Sequence, residues 1–231
     1  MVPVIILCGG LGTRLKAYEE DIPKPLVPVG GVPILRHIIS YYKANGCYQF
    51  VLAVGHQAAK IEAYFRQNPV EEVQIVFSNA GEKAGTGERL EAAMLALSAE
   101  EYLLSYGDII SDINIRCMIE AHRQQEKLIT LAVVKPLLPY GVFKYDGDVL
   151  ASFEEKPQAD FWINAGSMVV NKNLFPQLKG VKMLEGVLLN LLVKSGQLQT
   201  YRHNGNWRCM DTYKDYLELN EVWGSTKNFW G

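Results

Sequence analysis

The sequence has no surplus of basic charge: 23 lysines and arginines stand against 25 acids, leaving a formal charge of −2. A general nucleic-acid binder carries the opposite balance, so nucleic acid is excluded as a partner class, while a local pocket for a small anion is not. Cysteine is scarce. The four present, Cys8, Cys47, Cys117 and Cys209, form no CxxC pair, so neither a zinc site nor a disulfide framework is expected, and free thiols in a reducing cytoplasm are. His37, His56, His122 and His203 lack metal-ligand spacing and no Ser/His/Asp arrangement is visible. No apolar run approaches the roughly 20 residues that span a bilayer, and no basic leader precedes an apolar stretch, so neither membrane nor export is expected. Repeats, low-complexity tracts and linkers are absent as well. With 48% hydrophobic residues the 231-residue chain can bury one good core, and it is expected to form one domain over residues 1–231.

What is present is an alternation. Apolar runs of four to six residues, "VPVIIL", "FVLAV" and "VQIVF", are separated by the helical patterns "PILRHIISYYKANG" and "QAAKIEAYFRQ". A helix over Thr86–Ala99, the strand "EYLLSY", a helix over Ile115–Gln125 and the strand "LITLAVV" continue it. Such alternation predicts an α/β fold with a Rossmann-like, open, mostly parallel mixed sheet covered by helices on both faces. After about residue 135 the pattern shortens. "YGVFKYDGDVLASFEE" reads as a hairpin turning at Asp146-Gly147, followed by the strand "INAGSMVVN", a helix over Leu184–Lys194, the strand "LQTYRH" and a last helix from about Thr212 to Trp223.

The first strand runs into "CGGLGTRL". Glycines after a buried strand let main-chain N–H groups approach an anion, most often a phosphate. Neither GxxxxGK[ST] nor GxGxxG fits, the latter finding Leu15 where its third glycine belongs, and the second strand ends Ala53-Val54-Gly55 without the acid a dinucleotide site needs. Further along, Asp108 in "LLSYGDII" stands just past the carboxyl end of an apolar strand, where open α/β sheets place ligands. Asp211 in "WRCMDTYKD" precedes the last helix, where it and Thr212 are both candidates for the N-cap. Glu154-Glu155-Lys156 alone would be a solvated charge run.

"GGLGTRL" followed by "IPKPL" resembles the signature of the sugar-1-phosphate nucleotidylyltransferases, whose fold is of the kind just read. The resemblance implies a nucleotide site built from Leu7, Cys8, Gly9, Gly10, Gly12 and Thr13, with Thr86, Gly87, Arg89 and Gly107 beside it, in the half of the chain up to about residue 135. It implies that Arg14 and Lys24 hold the triphosphate, where fixed cations offset the charge developing on departing pyrophosphate. It implies that Asp108 and Asp211 hold Mg²⁺, a cation needed because attacking phosphate and triphosphate repel each other. In the second half, Gly141, Glu155, Lys156, Asn164 and Gly166 match the family's acceptor residues. No general base is required, since the acceptor phosphate is already ionised and positioning carries the chemistry.

Within that family "WRCMDT", "GTGERLEAA" and "LSYGDIISDINI" are similar to segments of the glucose-1-phosphate cytidylyltransferases, which implies CTP and a phosphorylated small-molecule acceptor, glucose 1-phosphate first. A shorter stretch before "TGERL", and Glu88 in place of a glycine, leave another phosphorylated acceptor open. UTP, dTTP or GTP also stay open, as does a homo-oligomer. A nucleotide-sugar glycosyltransferase is the different class to weigh, because Asp146-Gly147-Asp148 is literally D-x-D. Its setting in a hairpin turn argues against that.

Overall fold

A computed structural model describes residues 2–10, 12 and 22–225. The strands are β1 (Val4–Leu7), β2 (Pro28–Val29), β3 (Val32–Pro33), β4 (Gln49–Val54), β5 (Gln74–Asn79), β6 (Glu101–Tyr106), β7 (Ile109–Ser111), β8 (Ile129–Val134), β9 (Val142–Asp146), β10 (Val149–Glu154), β11 (Ile163–Asn171), β12 (Leu198–His203) and β13 (Trp207–Cys209). The α-helices are α1 (Ile34–Ala44), α2 (Ala58–Gln67), α3 (Thr86–Ala96), α4 (Ile115–Gln125), α5 (Phe175–Leu178), α6 (Leu189–Lys194) and α7 (Tyr213–Ser225).

The main sheet has seven strands in the order β12-β8-β11-β6-β1-β4-β5, parallel throughout except for β11. Central strands buried on both faces need apolar residues at every position, which is why β1 and β4 read as unbroken hydrophobic runs. Their side chains alternate between two cores. Val4, Ile6, Phe50, Leu52 and Val54 point toward α1, α2 and α4, whereas Ile5, Val51 and Ala53 meet Leu90, Ala93 and Met94 of α3 and Leu192 of α6. The expected open, mostly parallel sheet with helices on both faces is therefore observed. Among the described residues no helix is long and apolar enough to cross a membrane.

Strand order places the site. The chain moves from β1 outward to β4 and β5, while β6 lies on the other side of β1. In an open α/β sheet, ligands bind where the order reverses, outside the carboxyl ends of the strands. Here those ends are Leu7 and Tyr106, joined by a Gly107 N–H to Leu7 carbonyl hydrogen bond of 3.0 Å. A Cβ on Gly107 would meet that same carbonyl at 2.9 Å, so only glycine lets the loops after β1 and β6 close on each other.

Several boundaries differ from the sequence expectations. Helix α3 stops at Ala96 rather than Ala99, because the buried Tyr102 hydroxyl donates to the Leu97 carbonyl and accepts from the Ala99 N–H, each at 2.9 Å. The helix expected over Leu184–Lys194 is broken. Leu184–Leu188 form a wide π-type turn with Gly186 at φ −90°, ψ −111°, and regular helix resumes only in α6. The β9–β10 hairpin turns on Gly147-Asp148, one residue later than expected, with Asp146 paired to Val149 and Gly147 at φ +59°. The short ribbons β2–β3 and β7–β13 were not anticipated.

Candidate active site

The glycine turn, the PKP segment and both singled-out aspartates converge on one cleft of about 390 Å³ at the switch point. Leu7, Cys8, Gly9, Gly10 and Gly12 form one wall and Tyr106, Gly107 and Asp108 the other, with Lys24 and Asp211 between them. Thr13 and Arg14, expected in the same site, lie outside the described residues.

Lys24 is held stiffly. It opens a single 3₁₀ turn, Lys24–Leu26, whose backbone is set by Pro23 and Pro25 on either side. Its ammonium donates to Asp108 Oδ2 at 2.6 Å and to Asp211 Oδ1 at 3.0 Å, and only 12% of the side chain is exposed. Burial opposes the lysine's charge, but the charge and hydrogen bonding of Asp108, then of Asp211, outweigh it and raise its pKa above the ordinary value. Lys24 is thus an ammonium wedged between two carboxylates.

The two aspartates meet because of the β7–β13 ribbon. Cys209 pairs with Ile109, and one residue further the Met210 N–H donates to the Asp108 carbonyl at 2.9 Å. At Asp211 the chain turns into α7, and here the structure settles which residue caps. Thr212 Oγ1 accepts the Asp215 N–H at 3.2 Å, while the Asp215 carboxylate accepts the Thr212 N–H at 2.7 Å. This reciprocal pair is a capping box, and it leaves the Asp211 carboxylate facing Lys24. Burial, then the charge of Asp108, pushes the neighbouring Cys209 thiol up to about 12.

The residues at the start of α3 serve mostly to shape the cleft. Arg89 lines it, yet its guanidinium is bonded to the carbonyls of Val54, Gly9 (3.0 Å) and Glu82 (3.2 Å). A side chain on Gly9 would run into that guanidinium at 2.2 Å. Thr86 lines the cleft with its hydroxyl engaged by the Leu184 N–H at 2.9 Å and by Glu185 at 2.7 Å. Gly87, expected to touch nucleotide, packs instead beneath the neighbouring loop, where a Cβ would meet the Val181 carbonyl at 2.3 Å. Glu88 accepts the Gly85 N–H at 2.8 Å, so this acid closes the α3 N-terminus.

Of the expected acceptor residues, Gly141 lies against Phe153 and Glu155, a Cβ there coming within 2.9 Å of Glu155 Oε2. Glu155 and Lys156 are exposed at the end of β10, Lys156 in a left-handed conformation at φ +48°. Asn164 and Gly166 sit in an irregular stretch of β11, where Asn164 Oδ1 accepts the Gly166 N–H at 2.7 Å. Sequence reasoning missed the group that links them to the cleft. Tyr106 lines the cleft, lies 3.2 Å from where a Gly166 Cβ would be, and donates its hydroxyl to Glu185. Burial and Glu185 raise its pKa, and a hydrogen bond with Asn164 partly offsets them. The signals available were the polar end of an apolar strand at Tyr106 and the glycine after Glu185, which marks a break in the helical pattern.

The histidines stay out of the cleft. His56 pairs with Glu82 at 2.6 Å, His203 with Asp112 at 2.9 Å, and His122 and His37 bond Thr130 and the Val29 carbonyl, each at 2.8 Å. Among the described residues no group of three or more His, Cys, Asp or Glu side chains could enclose a metal alone. Asp108 and Asp211 nonetheless fit a hard divalent cation. They already surround one positive charge, and Mg²⁺ binds through one or two carboxylates, completing its shell with phosphate oxygens and water.

Residues 3–224 match the family model described as nucleotidyl transferase. Over 98% of its length and 98% of the relative's, the chain is 34% identical to a probable glucose-1-phosphate cytidylyltransferase of Bacillus subtilis (strain 168). It is also 35% identical, over 74% of its length and 76% of the relative's, to a D-glycero-alpha-D-manno-heptose 1-phosphate guanylyltransferase of Campylobacter jejuni. Among solved structures it resembles HddC from Yersinia pseudotuberculosis, with TM-score 0.78, 26% identity, and coverage of 96% of this chain and 99% of that one.

Proposed function

The chain belongs to the nucleotidyl transferase family, and from that membership we propose that it is a Mg²⁺-dependent cytidylyltransferase acting on CTP and a sugar 1-phosphate, glucose 1-phosphate first. That it is a nucleotidyltransferase of the sugar-1-phosphate kind follows from the family and from relatives matched end to end. CTP is supported by the 34% identity over 98% of the chain and 98% of the relative to a probable glucose-1-phosphate cytidylyltransferase. A heptose guanylyltransferase, by contrast, is matched over 74% of the chain at 35% identity, and a mannose-1-phosphate guanylyltransferase over 92% of the chain, but only 60% of its own length, at 32%.

The observation that carries the chemistry is the trio Lys24, Asp108 and Asp211 on the floor of a glycine-walled cleft. An acceptor phosphate oxygen attacks the α-phosphorus of CTP, the bond from that phosphorus to the bridging oxygen breaks, and pyrophosphate leaves with the electron pair. No proton need move. The residues' work is to hold two anions in line and to offset their charge. Glycine N–H groups approach the triphosphate from one wall, and Arg89 keeps the Gly9 carbonyl turned away from it. Asp108 and Asp211 would hold Mg²⁺, which would supply the positive charge that screens the repulsion between the two phosphates. Glu155, Lys156, Asn164, Gly141 and Gly166 are assigned to the acceptor, Lys156 to its phosphate.

The test is pyrophosphate release with Mg²⁺ and glucose 1-phosphate from CTP, UTP, dTTP, ATP and GTP in parallel, then CTP with other phosphorylated acceptors. CTP is expected to exceed the rest. Asp108→Asn and Asp211→Asn should each lower turnover by roughly 10²–10³ while the fold is retained, read by circular dichroism. Near-normal rates in both variants would refute the assignment of the carboxylates.

A further inference from the structure

We infer that Lys24 is a resident counter-ion of the two-carboxylate site, so that a divalent cation is excluded until a nucleotide draws the lysine away; this rests on the metal role assigned above to Asp108 and Asp211. The ammonium contacts both carboxylates at 2.6 and 3.0 Å and so occupies one oxygen of each. A divalent cation and an ammonium at contact distance from each other repel, and with the lysine side chain 12% exposed there is little water to screen them.

The lysine is built to leave without the backbone moving. Its main chain is pinned between Pro23 and Pro25, and the Val27 N–H returns to the Lys24 carbonyl at 3.2 Å, so displacement falls on the four-carbon side chain. Lys24 lines the same cleft as Gly9, Gly10 and Gly12, where the triphosphate is placed. A phosphate chain there offers the ammonium an acceptor of higher charge than either aspartate. Swinging to it uncovers Asp108 and Asp211 at the moment phosphate oxygens arrive to complete the metal's shell. The cation then enters with its nucleotide, and the free protein holds neither a bare acidic pair nor an idle metal.

The experiment is Mn²⁺ binding followed by electron paramagnetic resonance, with no acceptor and no turnover. Four samples are compared without nucleotide: wild type, Lys24→Met, Lys24→Gln, and Lys24→Met combined with Asp211→Asn. Wild type should bind Mn²⁺ at least tenfold more weakly than Lys24→Met and Lys24→Gln, and the added Asp211→Asn should abolish the gain. Thermal melts give an independent readout: Mn²⁺ should raise the melting temperature of Lys24→Met and leave that of wild type unchanged. Tight Mn²⁺ binding by wild type alone, in the absence of nucleotide, would overturn the inference, and this arm needs no variant to fold. A non-hydrolysable CTP analogue separates the two levels. If wild type with the analogue binds Mn²⁺ in a manner sensitive to Asp108→Asn, the metal site stands, and weak binding without nucleotide then establishes the lysine's exclusion of metal, while tight binding without nucleotide overturns it. Insensitivity to both Asp108→Asn and Asp211→Asn would remove the metal site and the inference with it.

Discussion

At the residue scale, four scattered thiols become four different environments once placed. Cys8 and Cys47 are buried, and burial raises their pKa to about 12 and about 11. Cys209 is raised to about 12 by burial and by Asp108, whereas Cys117 is exposed on α4. The thiolate is the reactive form, so a thiol of pKa about 12 is ionised to only roughly 10⁻⁴ at pH 8. Titration of the native protein with an aromatic disulfide reagent at pH 8 should therefore consume one thiol rapidly, lost in Cys117→Ser, and the other three only after unfolding. Rapid reaction of Cys209 would show that it does not stand against the acidic pair. That Lys24, Asp108 and Asp211 meet in one cleft was legible in the sequence because each sits in a short motif of the family the chain resembles. Tyr106 and Glu185 were not, since a tyrosine ending an apolar strand and a glutamate in a helical pattern are ordinary until the fold brings them together.

At the element scale, the long strands and helices could be read because burial on both faces of β1 and β4, and on one face of α1, writes a period into the sequence. Ribbons of two or three residues carry no readable period. The β7–β13 pair exists only because distant segments find each other, yet it is what sets Asp211 beside Asp108. The same holds for β2–β3, whose Gly30-Gly31 turn has φ of +57° and +82° and whose Gly30 is covered by Trp223 of α7. Asn220 of α7 accepts the Gly30 N–H at 2.9 Å, so α7 fastens the segment after Lys24 to the one after Asp211. The start of α7, where the Thr212–Asp215 cap holds Asp211 at the cleft, is a place where stability and turnover are expected to be coupled. Thr212→Ala removes the cap and should cost about 1 kcal/mol, read as a lower urea midpoint at constant slope. It should also lower turnover by loosening Asp211, and Thr212→Ser should restore both. A loss of stability with undiminished turnover would show that the cap does not position Asp211.

At the scale of the whole molecule, the cleft is where the structural pieces meet. Its walls come from the ends of β1 and β6, its floor from the PKP turn and the start of α7, and its lip from α3 and the residues before α6. Each of these packs on one of the two cores, so a ligand spanning the cleft ties both faces of the sheet together. A ligand that binds only the folded protein stabilises it by RT ln(1 + [L]/Kd), about 2.7 kcal/mol at a hundred times Kd. For a chain of this size each kcal/mol raises the melting temperature by about 2–4 °C. Saturating CTP with Mg²⁺ and no acceptor should thus raise the melting temperature by roughly 5–11 °C. GTP, UTP, dTTP and ATP at equal concentration should give clearly smaller shifts. Because no turnover occurs, the ranking reports base choice alone, free of acceptor identity. A shift with GTP equal to or above that with CTP would move the protein toward the guanylyltransferase relatives while leaving the phosphate and metal assignments of the cleft in place.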